Sequence, residues 1–95
     1  MYTLTPKMIE VVHGLMESLN RVADLGNAMA YGTMADISVS LSWKGDVSGS
    51  ITVSRQARSE QIRIDVDLHG LTCTYFELPK HGLHEVQNWI EHNIH

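Results

Sequence analysis

Two neighbouring segments of the chain alternate strictly between apolar and small hydroxyl residues. Residues 37–43 read Ile-Ser-Val-Ser-Leu-Ser-Trp, and residues 47–54 read Val-Ser-Gly-Ser-Ile-Thr-Val-Ser. Successive side chains of a β-strand point to opposite faces of the sheet, so this pattern gives each strand one apolar and one hydroxyl face. We predict strands over residues 36–43 and 47–54, joined by a turn at Lys44-Gly45-Asp46.

The predicted hydroxyl face carries no charged residue over two whole strands. Removing water from such a face costs less than removing it from a charged one, and short side chains have little rotamer entropy to lose. We therefore predict that this face binds a partner. Its candidate contact residues are Ser38, Ser40, Ser42, Ser48, Ser50 and Thr52.

A long amphipathic helix is predicted ahead of these strands. Thr5 is suited to cap it and Pro6 to begin it. From Met8 onward, apolar residues recur at spacings of three and four, which indicates a helix with one buried face. The sequence leaves two ends open, at Gly26 or at Gly32. The longer helix would overhang the sheet, and its exposed apolar stripe would favour pairing with a second copy.

The remaining residues predict two further strands and a second helix. Residues 61–69 alternate again, with Ile62, Ile64, Val66 and Leu68 on the apolar side. Residues 71–77 are typical of a strand, but the pattern does not decide which side faces inward. Either the alternate positions that include Cys73 (the Cys73 register) or those that include Phe76 (the Phe76 register) can do so. Residues 82–93 have the apolar spacing of a helix.

The predicted order of elements is α-β-β-β-β-α, with the strands linked as hairpins. Such strands favour an antiparallel sheet, and both helices have an apolar stripe to cover. The sheet offers a single continuous apolar face. We therefore predict one α+β domain, a two-layer sandwich with a four-stranded sheet, both helices on one face and the hydroxyl face open.

Charge and length narrow the possible partners of this chain. Its 95 residues suit a single domain, and its net charge of -4 disfavours non-specific binding to nucleic acid. The same balance permits a protein partner with a basic surface. Asp65 and Asp67 are predicted on the hydroxyl side, where they would steer such a partner.

The expected location is the cytoplasm. Cys73 is the only cysteine, so an internal disulfide is impossible and a reducing compartment is the simplest setting. The first residues carry neither the charge nor the apolar run of a signal peptide. No stretch reaches the roughly 18 apolar residues of a membrane span.

Two sets of residues raise the possibility of metal chemistry. Asp65, Asp67 and His69 follow one side of a predicted strand, but side chains two positions apart are about 6.5–7 Å from each other. We interpret them as a solvated face. Two of the C-terminal histidines fall at the start of the last helix and two at its end, about 16 Å away, so the four cannot share one ion within a chain. They are His81, His84, His92 and His95.

No catalytic motif is present, and no cofactor is expected. Cys73 is predicted to be a buried structural thiol, and the sequence has neither a nucleophile elbow nor a glycine-rich phosphate loop. A basic rim is possible at one end of the sheet, from Lys44, Arg55, Arg58 and Arg63. Single-strand binders place aromatic residues on the sheet, where this chain has serines.

In layout, the chain resembles the small phage-encoded inhibitors of host defence, of which the anti-CRISPR proteins are the best known group. The shared features are a compact domain, mild acidity, a helix started by Thr5 and Pro6, the following hairpin, and the lack of a catalytic set. The resemblance implies stoichiometric binding to a host nuclease or surveillance complex. It transfers no role to any individual residue.

We therefore expect a non-enzymatic inhibitor or adaptor that occludes a protein partner. The alternative is a homodimeric structural or regulatory module. Less favoured alternatives are a metal-dependent enzyme using Asp65, Asp67 and His69, and a binder of single-stranded nucleic acid.

Overall fold

A computed structural model describes residues 5–32, 36–44, 48–56, 61–69 and 72–94. These ranges form, in order, α1 (Pro6–Val22), β1 (Asp24–Gly32), β2 (Asp36–Lys44), β3 (Gly49–Gln56), β4 (Ile62–Leu68), β5 (Thr72–Leu78) and α2 (Leu83–Asn93).

The strands of the described ranges form one antiparallel sheet in the order β1-β2-β3-β4-β5. The predicted α+β class, with an antiparallel sheet and two flanking helices, is confirmed, and the four predicted strands are present as β2 to β5. The sheet has one strand more than predicted, β1, at the edge next to β2. The predicted Lys44-Gly45-Asp46 turn lies largely outside the described residues.

Helix α1 begins as the sequence predicts and ends earlier. Thr5 caps it in an extended conformation, and its Oγ1 accepts a hydrogen bond from the backbone N–H of Met8 at 3.3 Å. Both predicted ends, Gly26 and Gly32, are wrong, because the helix ends at Val22. Ala23 is already extended, with φ -155° and ψ 174°.

Strand β1 replaces the predicted continuation of the helix. It pairs with β2 from Asp24 opposite Lys44 to Gly32 opposite Ile37, with a bulge between Leu25 and Asn27. Hydrogen bonding along a neighbouring strand outweighs the helical spacing of the apolar residues here. The helix of 17 residues is about 26 Å long. The predicted overhang, and with it the reason to expect pairing through α1, is therefore absent.

Both helices cover the same face of the sheet. Their buried residues join those of the strands in one cluster, and the predicted inward set of β4 is fully buried within it. The main members are Met8, Val11, Leu15 and Leu19 of α1, Val39, Leu41, Ile51, Val53, Ile64 and Val66 of the sheet, and Val86 and Ile90 of α2.

The two helices lie side by side and run in the same direction. The side-chain amide of Gln87 donates to the carbonyl oxygen of Gly14 at 2.8 Å. Further along both helices, Arg21 Nη1 contacts Glu91 Oε1 at 3.1 Å. Gly14 allows the close approach, because a Cβ there would lie 2.8 Å from Leu83 Cδ2.

An aromatic contact joins β5 to α2. The Phe76 ring lies 5.8 Å from the ring of Trp89 and 5.8 Å from that of His81, with edge-on geometry in both pairs. This contact accompanies the Phe76 register of β5, in which Leu78 is also buried. The same register places Tyr75 outward, with 55% of its surface exposed.

The start of β3 packs directly against an indole ring. Trp43, the last apolar residue of the alternating segment 37–43, is 2% exposed and lies on the buried face of the sheet. Gly49 is its register partner on β3. A Cβ on Gly49 would collide with the carbonyl oxygen of Asp67 and would lie 2.9 Å from Cζ2 of Trp43.

We expect Gly49→Ala to lower the free energy of unfolding by about 2 kcal/mol or more, because backbone and an indole ring must both move. Urea denaturation measures the change. Gly26→Ala is the matched control, since within the described part of the chain a Cβ there meets only the Ser42 carbonyl oxygen, at an ordinary 3.6 Å. Equal stabilities of the two variants would contradict the packing described here.

Ser18 is a polar exception within the buried face of α1. It is 0% exposed, and its Oγ has no hydrogen-bond partner among the described residues. It lies four residues after Gly14 and three before Arg21, on the side of α1 that faces α2. A buried hydroxyl without a partner reduces stability.

We expect Ser18→Ala to raise the free energy of unfolding by about 1 kcal/mol, because it removes an unsatisfied hydroxyl as well as improving helix propensity. Asn20→Ala, on the exposed side of the same helix, reports the propensity gain alone. Thermal denaturation compares the two variants. If both are stabilised by the same amount relative to the wild type, the buried hydroxyl of Ser18 does not reduce stability.

Candidate interaction face

The hydroxyl residues of β2 and β3 form a regular array on one side of the sheet. Ser38 lies opposite Ser54, Ser40 opposite Thr52, and Ser42 opposite Ser50. Ser48 directly precedes β3. All seven are half-exposed. We call this set the hydroxyl half of the face.

The register carries the same rows onto β4 and β5. The row of Ser54 continues to Arg63 and Glu77, that of Thr52 to Asp65 and Tyr75, and that of Ser50 to Asp67 and Cys73. We call these six residues of β4 and β5 the charged half. The core lies on the opposite side of the sheet, so none of the described elements covers either half.

Arg63 links β4 to β5 within the charged half. Its Nε lies 3.0 Å from both carboxylate oxygens of Asp65. Its guanidinium lies over the ring of Tyr75, 4.3 Å from the ring centre. The pairing offsets the charge of Asp65 locally. The acidic steering predicted for Asp65 and Asp67 therefore depends mainly on Asp67.

Cys73 occupies this face and not the core. The prediction of a buried thiol is wrong, because the Phe76 register of β5 exposes Cys73. Its Sγ donates a hydrogen bond to Asp67 Oδ1 at 3.5 Å. This hydrogen bond, and then the negative charge of Asp67, raise the pKa of the Cys73 thiol above its ordinary value. The result is a thiol that resists ionisation.

The candidate metal ligands do not converge. Among the described residues, no three histidine, cysteine or acidic side chains lie close enough to hold a metal ion, Asp65, Asp67 and His69 included. His81 Nδ1 lies 3.4 Å from Glu85, and His92 Nδ1 lies 2.7 Å from the carbonyl oxygen of Asn88. His84 is exposed at the start of α2, and His95 lies outside the described residues.

The predicted basic rim is not assembled by its two described arginines. Arg55 lies opposite Ile62, on the helix side of the sheet, while Arg63 lies opposite Ser54, on the hydroxyl side. The side chains of Lys44 and Arg58 lie outside the described part of the structure. Arg55 and Arg63 therefore cannot contact one strand of nucleic acid on a single sheet face.

Sequence reasoning did not identify Tyr75 as part of this face. Leu78 lies one residue beyond the predicted end of the strand. Phe76 and Leu78 are both apolar, whereas the alternate positions, Cys73, Tyr75 and Glu77, include a charged residue. Extending the strand to Leu78 would have selected the observed register.

Comparison of the chain with known family models, characterised proteins and solved structures finds no match. In the described ranges, neither helix combines the length and the hydrophobicity needed to cross a bilayer. Inferences about function therefore depend on the geometry of the face.

Replacing Asp67 with Asn should lower the pKa of Cys73, because the thiolate loses a negative neighbour. At pH 8 a larger thiolate fraction then reacts with iodoacetamide, so we expect alkylation several-fold faster than in the wild type. Asp65→Asn serves as the control, since Asp65 does not contact the thiol. Equal rates in all three proteins would show that Asp67 does not control this cysteine.

Proposed function

We propose that this protein is a non-enzymatic binding protein that occludes a protein partner through its open sheet face. The observation that carries the proposal is the hydroxyl half, an uncharged array two strands wide on the side opposite both helices. A sheet face of this kind has a rigid backbone, so little backbone order has to be gained on binding.

The hydroxyl half favours contact with a polar protein surface. Each hydroxyl both donates and accepts hydrogen bonds, so the array can satisfy backbone amides, carbonyls or carboxylates of a partner. Losing water costs these groups less than it would cost a charged face of the same area. The side chains are also short, so little conformational entropy is lost when they become buried.

The required contact area extends beyond the hydroxyl half. Strands β2 to β5, about 4.8 Å apart and about 23 Å long, present roughly 400 Å² in plane. A stable interface buries about 800 Å² on each partner. The partner must therefore cover the charged half as well and extend beyond these four strands, for instance onto β1 beside β2.

The charged half supplies the features that an uncharged array lacks. Tyr75 and Arg63 are the residue types most often found as energetic anchors of interfaces, and here their side chains stack on each other. Asp67, without an ion pair among the described residues, favours approach by a basic partner. Because these three residues all lie in the charged half, they favour one orientation of the partner on the face.

The mechanism is occupancy, with no chemical step. A domain that covers about 400 Å² or more of a partner blocks whatever that surface would otherwise bind. This is the action of the phage-encoded inhibitors that the chain resembles in layout. We accordingly propose a host protein or complex with a basic surface as the partner.

The hydroxyl half is tested by Ser40→Arg, which places a long charged side chain at the centre of the array. We expect partner binding to weaken by about 30-fold, because an arginine must be buried without a counter-charge. The partner is first captured from host lysate after nuclease treatment, and its affinity for each variant is then measured by biolayer interferometry.

The matched control is Asn20→Arg, which adds the same side chain on the exposed side of α1. It should bind the captured partner as tightly as the wild type. If Ser40→Arg binds the captured partner as tightly as the wild type, the proposal is wrong. Sedimentation velocity of the same proteins tests the homodimer: a wild-type dimer that Ser40→Arg dissociates would assign this face to self-association.

A further inference from the structure

A cleft lies at the end of the sheet where α1 begins. It has two adjoining lobes, of about 230 Å³ and about 240 Å³. The first is lined by Thr5, Lys7, Arg55 and Ile62, and the second by Lys7, Ile62, Leu78 and Pro79. It lies on the helix side of the sheet, so it is separate from the hydroxyl and charged halves.

Two positive charges and no negative charge line the described wall of this cleft. Arg55 is half-buried and forms no ion pair with any described residue. Lys7 has one acidic neighbour, Glu10, at 3.8 Å, with 60% and 65% of the two side chains exposed. Such an exposed contact offsets little of the lysine charge.

The backbone adds to the positive potential at this place. The first turn of α1 contains no acidic residue and does contain Lys7. A cation at a helix N-terminus is unfavourable, because the helix dipole is positive there. Like charges that line one concave site repel each other, and an anion bound between them would offset this repulsion. The whole chain is acidic, with a net charge of -4, so this local excess stands against its overall balance.

The second lobe has a different chemistry. Apart from Lys7 it is lined by Ile62, Leu78 and Pro79, which are all apolar. The cleft therefore suits a small ligand with one anionic group and a short hydrocarbon chain.

We propose that this cleft binds an aliphatic carboxylate. The carboxylate lies between Lys7 and Arg55, and the hydrocarbon chain lies against Ile62, Leu78 and Pro79. A free short-chain acid and the C-terminal residue of a peptide present the same chemistry. The planar fork of Arg55 matches a carboxylate, while Lys7 contributes a point charge.

The test is a titration of the full chain with hexanoate, followed by two-dimensional NMR of the backbone amides. Saturable shifts are expected at Lys7, Arg55 and Ile62. Hexylammonium, which has the same chain and the opposite charge, should give none. Lys7→Gln and Arg55→Gln should each weaken hexanoate binding about fivefold, which corresponds to about 1 kcal/mol.

Arg63→Gln is the matched control, because it removes an arginine from the opposite face and should leave hexanoate binding unchanged. The dispersion of each spectrum shows whether a variant is folded, and Arg55→Lys should restore part of the affinity if Arg55→Gln is poorly folded. The proposal fails if hexanoate gives no saturable shifts, if hexylammonium or inorganic sulfate binds as tightly, or if both Gln variants bind like the wild type.

The two sources of the ligand are distinguished by a second pair of probes. An acetylated tripeptide ending in leucine is titrated with a free C-terminus and with an amidated one. Tighter binding of the free peptide than of hexanoate identifies a peptide C-terminus as the ligand, and the reverse order identifies a free acid. Both orders support a carboxylate site, whereas equal binding of the amide contradicts it.

Discussion

Burial of one sheet face beneath two helices is the constraint on which the other features depend. Strands β2, β3 and β4 direct their apolar side chains into a single cluster with α1 and α2. Since a strand has a period of two, every residue between those buried positions must lie on the other side. The hydroxyl half and the charged half are therefore fixed in place by the core, and a one-residue shift of register would bury them and expose isoleucine and valine.

Alternation in the sequence was enough to predict β2 to β4 and the side on which each residue lies. The sequence pattern was misleading between Ala23 and Gly32, because apolar residues there continue the helical spacing of α1 while the segment forms β1. Pairing with β2 decides that segment, and this partner lies several residues later in the chain, beyond the reach of a local pattern. Two glycines in the segment, Gly26 and Gly32, lower helix propensity, and from the sequence each is a possible end of the helix.

Contacts between distant residues account for what the sequence did not reveal. The stacking of Arg63 on Tyr75 depends on the register of β5, which alternation left open. The cleft brings Lys7, Arg55 and Pro79 together from three separate parts of the chain. Individually, each resembles an ordinary surface residue. Their significance depends on topology, which places the first turn of α1 beside the end of the sheet.

The parallel direction of the helices has a consequence for how this fold can change. Each antiparallel strand reverses the chain, and the described sheet has five, so α2 points the same way as α1. Adding or deleting a single strand would turn α2 around and misplace its contacts with Gly14 and Arg21. Insertion or loss of a whole hairpin preserves them. Evolution of this architecture, or its redesign, must therefore proceed two strands at a time.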